Sequence, residues 1–429
     1  MIDKKVKRLF DKGDTMYGRK ALAELLEIEP IVLVRFLNGD SHYMPDRAIG
    51  KMASLLASRN KNETKKELKM DALEKRYAEK QGIHFSGVPE MERDIMAWHK
   101  LVNNHTVLVD DNYCAESFAC CGKADGMSLR QVCNASRDGV LQVKMNYYAS
   151  DTGRSTTTGV NVQGLKKGSA GRRAIIARPG RVFIKVDSSS IEPRCLALVA
   201  NEKVLLDKMQ SGVDIYEDFG RAVGLDRACG KIAFLASMYG QGANGIIRLF
   251  ESFGKKISVS EATRIRYGFV KKYENITGGL KKGVGLWQES LGRVIADSAL
   301  KLPSGRYINF KPIFKGRGTY GTPEYENIGP GGHHEHLWFG RTVNNLIQGT
   351  ARDVFFWQVS SMVKALDGVA DICWTVHDDA LFECDEKNVE KVKDILILCA
   401  SRTPDWLPSG RWFCGKVSVG KNYGEMKGV

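Results

Sequence analysis

The 429-residue sequence predicts an α+β fold, and three kinds of stretch carry that expectation. Arg181-Val-Phe-Ile-Lys-Val-Asp187 is an apolar, β-branched run that reads as a buried strand and stops on one carboxylate. Ala370-Asp-Ile-Cys-Trp-Thr-Val-His-Asp-Asp-Ala-Leu-Phe-Glu-Cys384 reads as a hairpin, with two apolar strands flanking the tip His377-Asp378-Asp379. Arg227–Gly240, residues 256–300 and the run from Arg341 to Trp357 have helical texture.

The bulk numbers narrow the function classes. Lys and Arg outnumber Asp and Glu by 64 to 50, a formal charge of +14, which favours an anionic partner, nucleic acid first. The 10 cysteines contain no CxxC pair and several sit in apolar runs, so they read as reduced, mostly buried thiols of a cytoplasmic protein. The N-terminus lacks the apolar core of a signal peptide, and no apolar run approaches a membrane span. The expectation is a soluble cytoplasmic chain of roughly two to four lobes with no membrane partner.

In chain order, residues 1–60 have a helical pattern. Leu22–Gly39 resembles the helix-turn-helix of repressor-like domains, with Ala23 at the small-residue position and Leu33 at an apolar one. Glu27 stands where the turn prefers Gly, and Ile31 and Val32 are apolar where a DNA-reading helix is polar. A small packing module is therefore favoured there over a DNA reader. Lys61–Lys69 reads as a charged linker or an exposed helix start; helices follow to about residue 103, broken at 82–89, and 103–139 reads as irregular. Leu141–Tyr148 is strand-like and leads into Asp151–Gln163, a Gly/Thr/Ser-rich loop around Arg154 suited to phosphates and sugars.

After the strand ending at Asp187, Ser190 is expected as the N-cap of a helix with Pro193 in its first turn. In the next helical run, Arg227, Lys231, Leu235 and Tyr239 recur every fourth residue, aligning two cations, an apolar side chain and a ring on one face. A triphosphate, sugar and base lying along that face would meet them in that order. Leu302–Phe310 reads as a turn and strand, and 316–332 as a loop ending in His333-His-Glu-His336. Adjacent residues of a loop rarely close a tetrahedral zinc site, so none is expected there. Asn344 and Gln348 share one face of the helix that opens at Arg341. An acidic pair between hydrophobic strands, as at Asp378-Asp379, is costly unless it serves a cation or catalysis.

Taken in order, VDSSSIEPRCLALVA, RACGKIAFLASMYG and VHDDALFEC resemble motifs A, B and C of the family A DNA polymerases, in a phage-like style. SDTGRSTTTGVNVQGL, GRRAIIARPG, NNLIQGTARD and VGKNYG match supporting stretches, so the resemblance covers roughly 140–424. It implies a right-hand polymerase fold with an antiparallel palm sheet, helical fingers and thumb, plus the small helical N-terminal module. The implied division is 1–60 for that module, 67–140 for a reduced thumb-like region, 141–220 and 301–429 for the palm, and 221–300 for the fingers. It further implies two Mg²⁺ ions on Asp187 and Asp378, with the Ser188 backbone carbonyl as a further ligand. Arg227 and Lys231 would take the triphosphate, Leu235, Tyr239 and Tyr216 would line the dNTP site, and Glu192 would exclude a ribose 2′-hydroxyl. Arg154, Gln163, Asn344, Gln348 and His377 would contact primer–template DNA.

Four positions depart from the family pattern. Leu235 stands for the usual Phe or Tyr, Ser190 for Gln, Asp379 for Glu, and Tyr216 for a phosphate-contacting His of bacterial members. Asp379 is one methylene shorter, which argues against a secondary metal role for it. Residues 1–60 are too few for a 3′–5′ exonuclease and lack its spaced acids, so proofreading is expected from a separate polypeptide or accessory protein, or not at all. The expected role is replication of a phage or other mobile genome, in a bacterial cytoplasm if phage-encoded. The competing readings are a single-subunit RNA polymerase, which Glu192 argues against, and a non-catalytic DNA-binding protein on a polymerase fold.

Overall fold

The computed structural model describes residues 89–429 except 121, 281–282, 319–321 and 330–331, together with Tyr77 and Lys80. The module expected at 1–60 and the linker at 61–69 lie outside the described residues. Helix α1 (Glu90–Asn104) buries Glu92, Ile95, Met96, His99 and Val102 at the spacing of one helix face. The segment expected to be irregular is instead ordered into strand β1 (Thr106–Val109) and helices α2 (Asp111–Cys120) and α3 (Lys123–Ala135). A four-residue strand and a helix of little amphipathic bias leave almost no periodic signal, which is why the sequence hides them.

The run at 141–148 divides into β2 (Val140–Gln142) and β3 (Lys144–Asn146), and β3 pairs with β4 (Thr156–Thr158) around the loop that carries Arg154. Short helix α4 (Ala170–Arg173) precedes β5 (Ile175–Ile176), and β1 lies between β2 and β5 in a three-stranded sheet. Strand β6 (Arg181–Ser188) and helix α5 (Ile191–Val199) follow as expected. Ser190 does occupy the N-cap position, but in the left-handed conformation (φ 53°, ψ 41°) and without a capping hydrogen bond from its side chain. The backbone there bends to end the strand, and the hydroxyl is turned to another task described below.

A helical lobe comprises α6 (Lys203–Gln210), α7 (Ile215–Ala222), α8 (Arg227–Met238), α9 (Ala243–Ser252), α10 (Val259–Lys272), α11 (Glu274–Thr277) and α12 (Leu286–Asp297). Phe219, Phe234, Phe269, Tyr273 and Trp287 form its aromatic centre, with edge-to-face contacts at 4.8–5.7 Å for most neighbours. Gly230 allows α8 to cross α7 closely, because a Cβ there would collide with the Tyr216 carbonyl.

Strands β7 (Ala299–Lys301) and β8 (Tyr307–Asn309) form a hairpin. The stretch expected as a loop, 316–332, carries the end of β9 (Pro312–Arg317) and all of β10 (Pro323–Ile328), which with β11 (His334–Leu337) form a second three-stranded antiparallel sheet. Its glycines, prolines and a register shift at Glu324/Tyr325 mask the alternation. His334 pairs with Glu326, and His333 with Glu335.

The long helix α13 (Phe339–Ala365) leads to β12 (Ala370–Val376), β13 (Asp379–Asp385), α14 (Val389–Ala400), β14 (Gly415–Gly420) and β15 (Lys427–Gly428). The central sheet is antiparallel in the order β12-β13-β6-β14-β15. Val182, Ile184, Val186 and Ser188 of β6 are buried, and α14 lies against β6 and β14. Ser188 reaches Gln358 of α13 at 3.3 Å, and the Gln358 amide donates to the Ala400 and Arg402 carbonyls. Sheet, α13 and the end of α14 are thereby joined.

Helix α13 is also held by charge. Arg352 forms an ion pair with Glu92 of α1, Asp353 pairs with Arg306, and Arg306 donates to the Tyr148 hydroxyl and the Thr152 carbonyl. All four charged side chains are essentially buried. Removing one member strands its partner in the core, so Glu92→Ala should cost about 3–5 kcal/mol in urea unfolding. A loss below about 1 kcal/mol would show the network to be slack.

Candidate active site

In the central sheet Asp187 is directly opposite Asp379 on one side and Lys416 on the other. Asp378 sits in the two-residue turn between β12 and β13, and His377 takes the left-handed conformation (φ 54°) that lets the hairpin close. The Ser188 N–H donates to the Asp378 carbonyl at 2.9 Å, so the turn is fastened to the end of β6. Three aspartates thus lie close together at the adjoining ends of β6 and β13, inside the sheet. Burial, then Asp187 and Asp379, push the Asp378 carboxyl up to about 7. Burial also raises Asp379, to about 6, against the pull of Lys185, whose Nζ is 2.9 Å from Asp379 Oδ2. Asp379 Oδ1 is buried with no hydrogen-bond donor.

Such mutual repulsion is relieved by a divalent cation. Among the described residues no three His, Cys, Asp or Glu side chains form a ligand group for a metal. A pair of carboxylates with open positions suits a hard cation that keeps water or phosphate ligands, as Mg²⁺ does.

The predicted stripe forms on α8. Arg227 and Lys231 are exposed, and Leu235 and Tyr239 half-buried, while Gly230, Ala233, Phe234, Ala236, Ser237 and Met238 face inward. Arg227 Nε is 2.6 Å from Asp214 Oδ2, and Asp214 also caps α7. Lys231 Nζ lies 5.6 Å from the centre of the Tyr216 ring, which packs edge-on against Phe234. Burial raises the Tyr216 phenol, and the adjacent Ser190 hydroxyl opposes that rise. Ser190 thus lies beside Tyr216 of α7 and leaves its own helix without a side-chain cap.

Glu192, on the first turn of α5, gathers three elements. It accepts from Arg154 Nη2 at 2.5 Å and from the Tyr239 hydroxyl. Burial, followed by the Glu192 charge, holds the Tyr239 phenol well above its ordinary range. His377 is pushed down by burial and then by Arg154, and it lines one pocket with Arg154, Ser155, Gln163 and Thr375. Gln163 donates to the Ser155 carbonyl at 3.1 Å. Asn344 and Gln348 are half-buried on α13; among the described residues no hydrogen bond or ion pair joins them to the other candidates. Two site features escaped the sequence, the Arg154–Glu192 pair and Lys185. Lys185 had a usable signal, since it lies two residues before Asp187 on the same strand face.

The chain matches the family described as DNA polymerase family A over residues 123–405. It is similar to a DNA polymerase of Mycobacterium phage L5, 30% identical over 32% of this chain and 22% of the relative. It is similar to DNA polymerase I of Rhizobium leguminosarum at 28% identity (58% of this chain, 24% of the relative). DNA polymerase theta of Caenorhabditis elegans shows 24% identity over 58% of this chain and 14% of its own length. The chain thus spans less than a quarter of each of these relatives. A solved structure, the POL domain of Pol1 from M. smegmatis in complex with DNA primer-template and dNTP, shares the fold with a TM-score of 0.56 at 16% identity; the match covers 82% of this chain and 65% of that one. Among the described residues no helix is long and apolar enough to cross a membrane.

The raised Asp378 carboxyl has a consequence for stability. Its folded value of about 7 exceeds its ordinary 3.8, so its contribution is fully present below that lower value and is lost as pH rises through 7. In metal-free buffer, the stability of the wild type relative to Asp378→Asn should therefore fall between about pH 4 and 7.5. Thermal melts of the two proteins across that range check it, and a flat difference would remove the argument for repulsion at the site.

Proposed function

The chain belongs to DNA polymerase family A, and on that premise we propose that it is a template-directed DNA polymerase adding dNTPs to a primer 3′ end. The observation that carries the reading is the register that sets Asp187 beside Asp379 and fastens Asp378 to Ser188, with the cationic face of α8 as its counterpart. In this reading the central sheet is the palm (141–220 and 301–429), the helical lobe at 221–300 the fingers, and 67–140 a reduced thumb-like region. Primer–template DNA and dNTP, named for the similar POL domain, are the proposed partners.

Asp187 and Asp378, with the Ser188 carbonyl, would hold two Mg²⁺ ions. Bound there, the ions supply Lewis acidity at the attacking 3′-oxygen and at the oxygen that leaves with pyrophosphate. Arg227 and Lys231 would bind the β- and γ-phosphates and neutralise charge gathering on the leaving group. Leu235, Tyr216 and Tyr239 would bound the sugar and base. Glu192, held from two sides by Arg154 and Tyr239, has little freedom to retreat from a ribose 2′-hydroxyl, which makes the site select deoxyribose. Gln163 and His377, beside Arg154, would follow the primer–template, as would Asn344 and Gln348 on α13. The phage relative supports a role in replicating a phage or mobile genome.

Mg²⁺-dependent extension of a recessed primer tests this. Asp187→Ala and Asp378→Ala should each lower extension by about a thousandfold or more while primer–template affinity stays within about threefold. Wild-type preference for rNTPs would point to an RNA polymerase, and DNA binding without extension to a non-catalytic protein; either sinks the proposal. Glu192→Ala should narrow the dNTP-over-rNTP preference by at least about tenfold in kcat/KM. Unchanged sugar preference in that variant would remove Glu192 from the selective role.

A further inference from the structure

We propose that Lys185 is a positioning residue that withholds Asp379 from the metal-binding carboxylates, leaving a working pair, Asp187 and Asp378, and a third acid neutralised within the protein. The inference rests on the metal site proposed above. Side chains two residues apart on a strand share a face, so Lys185 and Asp187 lie side by side on β6. Asp379 is directly opposite Asp187, which makes Lys185 its diagonal neighbour, and a long side chain spans that diagonal. The Lys185 Nζ closes on Asp379 Oδ2 at 2.9 Å, with both side chains only 19% exposed. Lys416, on the other side of Asp187, is exposed.

The geometry divides the acids. Asp378 is carried in the turn, whereas Asp379 is the first residue of β13 and short enough to remain beside its own strand. One of its oxygens is taken by Lys185 and the other is buried without a donor. Lys185 and Asp379 together add no net charge to the cluster. Deleting the lysine would leave Asp379 with two unpaired oxygens against Asp187, and a divalent cation is the ligand that would satisfy them.

The test measures Mn²⁺ binding directly, by the loss of the free-ion EPR signal, on the full chain at pH 8 without DNA or nucleotide. Lys185→Met should bind Mn²⁺ about tenfold more tightly than wild type, because a cation has been removed and a carboxylate released. Lys185→Arg should stay within about twofold, and so should the double variant Lys185→Met/Asp379→Asn, which deletes a neutral pair. Unchanged or weaker binding in Lys185→Met, with native circular dichroism, overturns the proposal; weaker binding would make Asp379 a ligand that Lys185 orients. If Lys185→Met does not fold, the double variant decides: wild-type affinity supports the proposal, and about tenfold weaker binding overturns it. Asp187→Ala is the separate control. Should it bind Mn²⁺ as wild type does, the metal site itself is misplaced, a failure distinct from a fault in the role of Lys185.

Discussion

The antiparallel register between β6 and β13 is the constraint on which the site depends. Side chains alternate along a strand, so a slip of one residue would turn Asp187 into the core and carry Val186 to the open face. Val186 resists that slip because it would exchange a buried position for the half-buried one of Asp187. The far end of the pair is pinned by charge. Arg181 lies opposite Asp385 and contacts Asp371, Glu383 and Asp385, while Arg178 holds Glu383 through its backbone N–H and its guanidinium. One end of the strand pair is locked by compensated charge so that the other can present uncompensated charge.

That contrast separates structure from chemistry within a single strand. Glu383 and Asp379 are both on β13, four residues apart. Burial pushes Glu383 upward, but His105, Arg178 and Arg181 overcome it and hold the carboxyl below its ordinary range. Asp379 and Asp378 have one lysine between them and are raised. A fold that can neutralise a buried acid with two arginines and a histidine has not done so a short distance away. The difference marks Asp378 as the acid poised for an external cation, while Asp379 is held by Lys185.

Much of this was legible in the sequence because the relevant signals are local. The run ending at Asp187, the hairpin tip and the four-residue spacing on α8 are each contained in fewer than about 16 residues, and periodicity reports such units well. Pairings across long separations were not legible. Nothing near Glu92 announces that it meets Arg352, and Arg306 and Asp353 become partners only when β8 and α13 pack. The sheet formed by β9, β10 and β11 was missed for a different reason: strands with so few buried positions lack the buried face that makes alternation visible. Ser190 shows the limit of a local rule. Its chemistry fitted an N-cap and its position was right, yet its left-handed backbone withdrew the hydroxyl from the cap.

The departures from the family pattern make sense in spatial pairs better than as single changes. Ser190 and Tyr216 both stand at substituted positions, and the Ser190 hydroxyl lies beside the Tyr216 phenol. Asp379, another substituted position, is joined to Lys185. In each pair a long side chain from one element meets a short polar one from another. Tyr216 also carries Lys231 over its ring, so the first pair supports the cationic wall of the site. The second pair governs how much negative charge the opposite wall presents. Substitutions that would look damaging one at a time thus each have a partner side chain from another element.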